Sequence, residues 1–169
     1  MKKQLLNLLF TMCLSQVCFS QINLKSKFEI AVHTFIHHSV MVEANAGWKG
    51  YNIEQNGIEL NYTKSVVLNN QHTIGLGLGL LNYGGYKGLN IFSDFEYYPQ
   101  KRRVNTLANF KIGYNHIWNQ YDGGKGTLLG EFLTGLNYIH NDKYSSYIKS
   151  GLLFTQQSLF IPIRIGFTF

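Results

Sequence analysis

The chain has 169 residues, with 17 glycines, 11 tyrosines and 12 phenylalanines, 14% charged residues and a formal net charge of +6. That length suits one domain of ordinary size, and the glycine and aromatic enrichment fits short twisted strands better than a helical bundle. Beyond the N-terminus no run approaches the ~20 continuous apolar residues of a spanning helix. The positive charges are scattered, clustering only at Lys101-Arg102-Arg103, which argues against nucleic acid as a partner.

The first 20 residues read as a secretory signal. Lys2 and Lys3 form a basic start, Leu5 to Leu14 an apolar core, and Cys18 and Ser20 supply small side chains before a cut ahead of Gln21. Gln16 and Val17 do not resemble the residues that precede a lipoprotein cysteine. Both cysteines, Cys13 and Cys18, lie in this segment, so the mature chain is expected to lack disulfides, thiol nucleophiles and thiolate metal sites. Removing Lys2 and Lys3 takes the formal charge from +6 to +4.

Residues 21–38 admit two readings. Phe28, Ile30 and Val32 keep a period of two, whereas Leu24, Phe28, Ala31, Val32 and Phe35 fit a helical stripe. A strand here would be a ninth, so the segment is read as a lead-in lying at a membrane surface. The barrel is then expected over residues 39–169.

Eight segments in that range alternate with period two. Val40, Val42, Ala44, Ala46 and Trp48 mark the first, and Ile58, Leu60 and Tyr62 the second. The third is the clearest: Thr73-Ile74-Gly75-Leu76-Gly77-Leu78-Gly79-Leu80 puts leucine on one face and glycine on the other. In a soluble sandwich such a glycine face leaves the pleat unpacked, whereas inside a narrow barrel it makes room for side chains of other strands. Leu89, Ile91, Phe95 and Tyr97 mark the fourth, and Ala108, Phe110, Ile112, Tyr114 and Trp118 the fifth. Leu128, Phe132, Leu136 and Tyr138 follow, then Ile148, Leu152 and Phe154, and finally Ile161, Ile163, Ile165, Phe167 and Phe169.

Eight is an even count, as single-chain bacterial outer-membrane barrels require. The fold class expected is therefore all-β: an eight-stranded antiparallel transmembrane up-and-down β-barrel, with ten strands as the alternative. Trp48, Tyr83, Tyr86, Trp118 and Tyr121 fall near one set of strand ends and Tyr97, Tyr98, Tyr138 and Tyr144 near the other, where aromatic girdles belong. Tyr51 to Gly57, Asn82 to Gly88 and Asn119 to Gly126 are expected as outer loops. Asn69-Asn70, Pro99 to Asn105 and Asn141-Asp142-Lys143 are expected as turns at the other end.

The face opposite the apolar stripe carries a candidate charge network of Glu43, Lys49, Glu59, Asp94, Glu96, Lys111, Glu131, Lys149 and Arg164. Five acids stand against four bases. Eight strands leave an interior just wide enough for side chains to fill, so near-balanced charge there would close the lumen. The hairpin joining strands four and five is expected to set Asp94 near Asn109, with Lys111 within diagonal reach and Lys111 approaching Glu131. Perturbed carboxylates also congregate at catalytic sites, but no adjacent residue announces a nucleophile. His33, His37 and His38 cluster without a cysteine or carboxylate at ligand spacing. No catalytic, cofactor or metal residue is therefore expected.

The terminal Ile165-Gly166-Phe167-Thr168-Phe169 and the stretch LNIFSDFEYYPQKRRVNTLANFKIGYN, residues 89–115, resemble a Bacteroidota family of small outer-membrane, porin-like β-barrel proteins. A strand of the form IFADxRY, a short basic turn and a strand of the form FxxxKxGY recur in that family after a glycine-rich strand. The resemblance covers residues 57–118 and the C-terminus and specifies architecture, not activity. It implies that Phe167 and Phe169 form a signal read by the barrel-assembly machinery. It also implies outer-membrane lipid and lipopolysaccharide as surroundings. The function expected is a non-enzymatic barrel displaying loops for envelope integrity, adhesion or host contact. The alternatives are a lipid A-modifying enzyme of deacylase or palmitoyltransferase type, or a narrow channel.

Overall fold

The computed structural model describes residues 23–38, 53–68, 71–100, 102–119, 125–141 and 143–169. They form eight strands: β1 (Asn23–His38), β2 (Gly57–Leu68), β3 (His72–Tyr83), β4 (Tyr86–Tyr97), β5 (Val104–Ile117), β6 (Lys125–Ile139), β7 (Ser145–Thr155) and β8 (Ser158–Thr168). Every neighbouring pair is antiparallel, and β1 pairs with β8 to close the barrel. Strands of 11 to 16 residues, tilted by about 45°, cover an apolar band about 25 Å tall.

The expected lead-in is itself a barrel strand, which corrects the reading of residues 21–38. β1 pairs with β2 from Asn23 opposite Val67 to His33 opposite Gly57, and with β8 from Lys27 opposite Thr168 onward. The physical reason is edge satisfaction. Without β1, β2 and β8 would each present unpaired N–H and C=O groups to hydrocarbon, where no water can take them. That requirement outweighs the helical stripe. The expected strand at residues 40–48, with Glu43 and Lys49, lies outside the described residues, as do the signal segment and the Asn69-Asn70 turn.

One expected outer loop, Asn82 to Gly88, is tighter than foreseen. β3 continues through Asn82 and Tyr83, and β4 starts at Tyr86, so Gly84-Gly85 alone make the turn, both at positive φ (56° and 104°). β7 and β8 are joined by Gln156-Gln157, at φ 49° and 57°. Both turns have the left-handed backbone that suits the twist of a two-residue hairpin.

The faces fall as the period of two dictates. Phe28, Ile30, Leu60, Leu78, Ile91, Phe110, Phe132, Ile148 and Ile165 point outward and are exposed, while the alternate positions are buried. Leu76 is 69% exposed and Arg164 is 0% exposed, the inverse of a water-soluble protein. On β3, a Cβ at Gly77 would collide with the Phe92 ring, and one at Gly79 with the amides of Asn61 and Asn90. The glycine face therefore accommodates side chains of β2 and β4.

A charge on the outer face measures this polarity. Leu78→Arg, at the middle of β3, is expected to lower folding stability in lipid vesicles by about 2–4 kcal/mol. Val104→Arg, at a strand end, should cost only about 0–1 kcal/mol. Urea titration of refolded barrels checks both, and equal effects would contradict the membrane orientation of the strands.

Candidate functional site: an ion-filled lumen

Period two delivers one inward side chain from every second residue of each strand, and the lumen becomes a stack of three layers. The end reached by the β3–β4 and β7–β8 turns is apolar: Ile53, Leu81, Tyr83, Ile117, Leu129, Leu153 and Phe160 cluster, with Phe35 and Tyr86 packed against them. Ile53 comes from the connection between β1 and β2 and is 1% exposed. Asn56, just before β2, accepts from the Phe35 N–H through Oδ1 at 3.0 Å.

The middle layer is ionic. Its hub is Glu29 on β1. Oε1 accepts from Lys111 Nζ, from Asn61 Nδ2 at 3.1 Å and from an Arg164 guanidinium nitrogen at 3.3 Å. Oε2 accepts from Tyr147 Oη at 2.9 Å and lies 2.7 Å from Lys149 Nζ. Arg164 reaches three carboxylates, since its Nε also donates to Glu131 at 2.6 Å and another nitrogen donates to Glu59. Glu59 further accepts from Asn90 and lies 2.9 Å from His33 Nε2. The other His33 nitrogen, Nδ1, sits 2.7 Å from Tyr83 Oη.

Nearer the chain termini, Lys27 bridges Asp94 and Glu96, the latter at 2.9 Å. Lys149 donates to Glu96 at 3.2 Å and to Asn109 Oδ1 at 3.0 Å. Tyr98 Oη donates to Glu96 at 2.7 Å. All of these charged side chains are essentially shielded from solvent. Among the described residues the lumen holds five carboxylates (Glu29, Glu59, Asp94, Glu96, Glu131), four cations (Lys27, Lys111, Lys149, Arg164) and His33.

Seven of the nine residues expected in the network are therefore brought together: Glu59, Asp94, Glu96, Lys111, Glu131, Lys149 and Arg164. Glu43 and Lys49 fall outside the described residues. Sequence reasoning missed Lys27, Glu29 and His33, whose signal was the alternation Lys27, Glu29, Ala31, His33 on one face of β1. It also misplaced one register. Asp94 lies opposite Lys111, and Glu96 opposite Asn109, so Asn109 reaches Asp94 on the diagonal, at 2.6 Å. Lys111 lies opposite Glu131 as expected but 3.9 Å from its Oε2, because its ammonium is drawn to Glu29. In a barrel this narrow a lysine spans the lumen as readily as it spans a strand pair.

The inner layer is an open vestibule of about 790 Å³, where β1 begins and β8 ends, with Lys27 and Glu96 in its lining.

A closed antiparallel barrel with an apolar outside and an ionic inside is a transmembrane β-barrel. The solved structures agree on the fold. The chain is similar to Neisserial surface protein A, with a TM-score of 0.63 and 9% identity over 86% of this chain and 95% of that one. It is also similar to the N-terminal β-barrel domain of Pseudomonas aeruginosa OprF, with a TM-score of 0.59 and 12% identity over 88% of this chain and all of that one (100%). No protein-family model matches the chain, and no curated protein matches it in sequence.

Glu29 tests the network. Glu29→Gln keeps the shape but removes the countercharge shared by Lys111, Lys149 and Arg164, and is expected to destabilise the barrel by about 3–5 kcal/mol. Adding Lys149→Met should recover part of that loss, since one uncompensated cation goes with it. A double-mutant cycle in urea titrations measures the coupling. Additive losses would mean that the two groups do not interact.

Proposed function

We propose that this chain is a non-enzymatic integral outer-membrane protein of a Gram-negative, Bacteroidota-type cell, and that its shut lumen makes it a wall and a display scaffold. The observation that carries this reading is the filled interior. An apolar layer, then an ion network joining β1, β2, β4, β5, β6, β7 and β8, occupies the cross-section. A network of paired charges that joins seven strands across the lumen favours rigidity over conduction. With both chain ends in the periplasm, the connections 39–56, 84–85, 118–124 and 156–157 face outward. Two of these are two-residue turns, so display falls to 39–56 and 118–124. Adhesion, host contact or envelope integrity are the roles open to such loops.

Phe167 and Phe169 fit an assembly signal. Both point outward, 41% and 48% exposed, their rings stacked 6.2 Å apart. The Phe169 N–H donates to the Ser26 carbonyl at 2.9 Å, and the Ser26 N–H returns a bond at 2.8 Å, so the terminal residue also helps close the seam. Phe169→Lys is expected to reduce the assembled, heat-modifiable barrel at least several-fold. Phe167→Leu, which stays apolar, should reduce it less.

The lipid A-modifying alternative draws on one contact, His140 Nε2 to Ser146 Oγ at 2.9 Å. It lies at the end opposite the loops, away from the outer leaflet where that enzyme type works. Three measurements decide. Steady conductance should be absent in planar bilayers, lipid A should be unchanged in a deletion strain, and a membrane-impermeant thiol reagent should label Lys87→Cys but not Arg102→Cys on whole cells. Large conductance would support the channel, altered lipid A the enzyme, and reversed labelling the opposite orientation.

A further inference from the structure

Lys64 on β2 interrupts the apolar outer wall. It is exposed, while Thr63 and Ser65 on either side of it are buried in the lumen, so its side chain stands on the lipid face. Across β1, β2 and β3 it lies between two apolar rows: Phe28, Tyr62 and Leu78 on one side, Leu24, Val66 and Ile74 on the other. Among the described residues no carboxylate lies within ion-pair reach of it. The acids of the eight strands, Glu29, Glu59, Asp94, Glu96 and Glu131, are all buried inside. A charge on the lipid face carries a cost that fades only towards the interface, where a lysine ordinarily extends its stem to water.

Lys64 is instead held along its own row. Its Nζ donates to Ser26 Oγ at 3.0 Å, where Tyr62 Oη also donates, at 3.2 Å. Ser26 stands directly opposite Lys64 on β1. An ammonium carries three donors; the serine hydroxyl takes one and supplies no countercharge, so two remain. The row also has a depth. Ser26 exchanges backbone bonds with Phe169, whose ring begins the stack Phe169, Phe167 and Tyr144, with spacings of 6.2 and 5.7 Å. Aromatic belts of this kind sit at the headgroup level of a bilayer. The ammonium is therefore fixed at the height of lipid phosphates, with donors to spare and no anion among the described residues.

We propose that Lys64, held by Ser26 and flanked by Tyr62, binds the phosphate of an anionic phospholipid on the outer wall beside the β1–β8 seam. One cation matches the single charge of a phosphodiester, whereas the multiply phosphorylated head of lipid A calls for more. A second copy of the chain supplies no counterpart, because the acids of its strands all face its own lumen. A zwitterionic head carries a cation of its own beside the phosphate, so the preference is for an uncharged head such as glycerol. The site goes beyond the scaffold role. It rests on the barrel's place in a bilayer and is the same whichever way the barrel faces.

Native mass spectrometry of the full barrel, released from vesicles of equal parts phosphatidylglycerol and phosphatidylcholine, reads the site directly. One phosphatidylglycerol should be retained about five-fold over phosphatidylcholine. Lys64→Gln should abolish that preference and Lys64→Arg should keep it. Lys87→Gln, at an exposed cation towards the other end of the barrel, should leave it unchanged. Urea titration gives a second readout, with heat-modifiable mobility confirming a folded barrel. Lys64→Leu removes a charge from the lipid face, so it should raise the urea midpoint in pure phosphatidylcholine, and phosphatidylglycerol should shrink or reverse that gain. Equal retention of the two lipids, retention untouched by Lys64→Gln, or an equal loss with Lys87→Gln would overturn the proposal. So would the same gain from Lys64→Leu in both lipids, or a dimer that Lys64→Gln dissolves, which would give the lysine to a second copy.

Discussion

The structure depends on one constraint: in hydrocarbon a strand edge has no water to turn to. Every backbone N–H and C=O must find a partner within the chain, so the sheet has to return to its own first strand. The β1–β8 seam meets that demand from Lys27 opposite Thr168 upward, and the paired bonds between Ser26 and Phe169 extend it to the last residue. Closure at eight strands then sets the diameter, and the diameter sets what the inside can hold. A wider barrel would leave water between Glu29 and its partners; this one brings charges from opposite walls into direct contact.

Much of this was legible in residue order, because a half-buried strand prints its two faces on alternate letters. Gly75, Gly77 and Gly79 opposite Leu76, Leu78 and Leu80 declared both the strand and the direction of the lumen. Arg164 among Ile161, Ile163, Ile165 and Phe167 declared the inward side of β8. What failed was β1, where period two and a helical stripe fit the same residues and only the partners separate them. Counting strands to an even number then admitted residues 40–48 and excluded 23–38, and with β1 went Lys27, Glu29 and His33. Pairs across the lumen, such as Lys111 with Glu29, were beyond reach for a different reason. Cross-strand rules describe neighbours in the sheet, and these groups meet through its centre.

The three layers divide the labour of the interior. The apolar cluster around Phe160 and Tyr83 packs one end of the lumen, and an apolar neighbour strengthens the ion pairs beside it. The ionic layer in turn satisfies groups that an apolar filling would strand, and Asn61, Asn90 and Asn109 spread the charge among further donors and acceptors. The layer nearest the chain ends is the open one.

The position of Glu29 also bears on timing. Its partners Lys111, Tyr147 and Arg164 lie 82, 118 and 135 residues further along the chain. None of these contacts can form while hairpins are still separate, so the network is completed only when the ring shuts. Interactions absent from the transition state act chiefly on the rate of opening rather than of assembly. The ionic layer is thus a latch: it does little to guide the strands into the membrane, and it makes their departure slow.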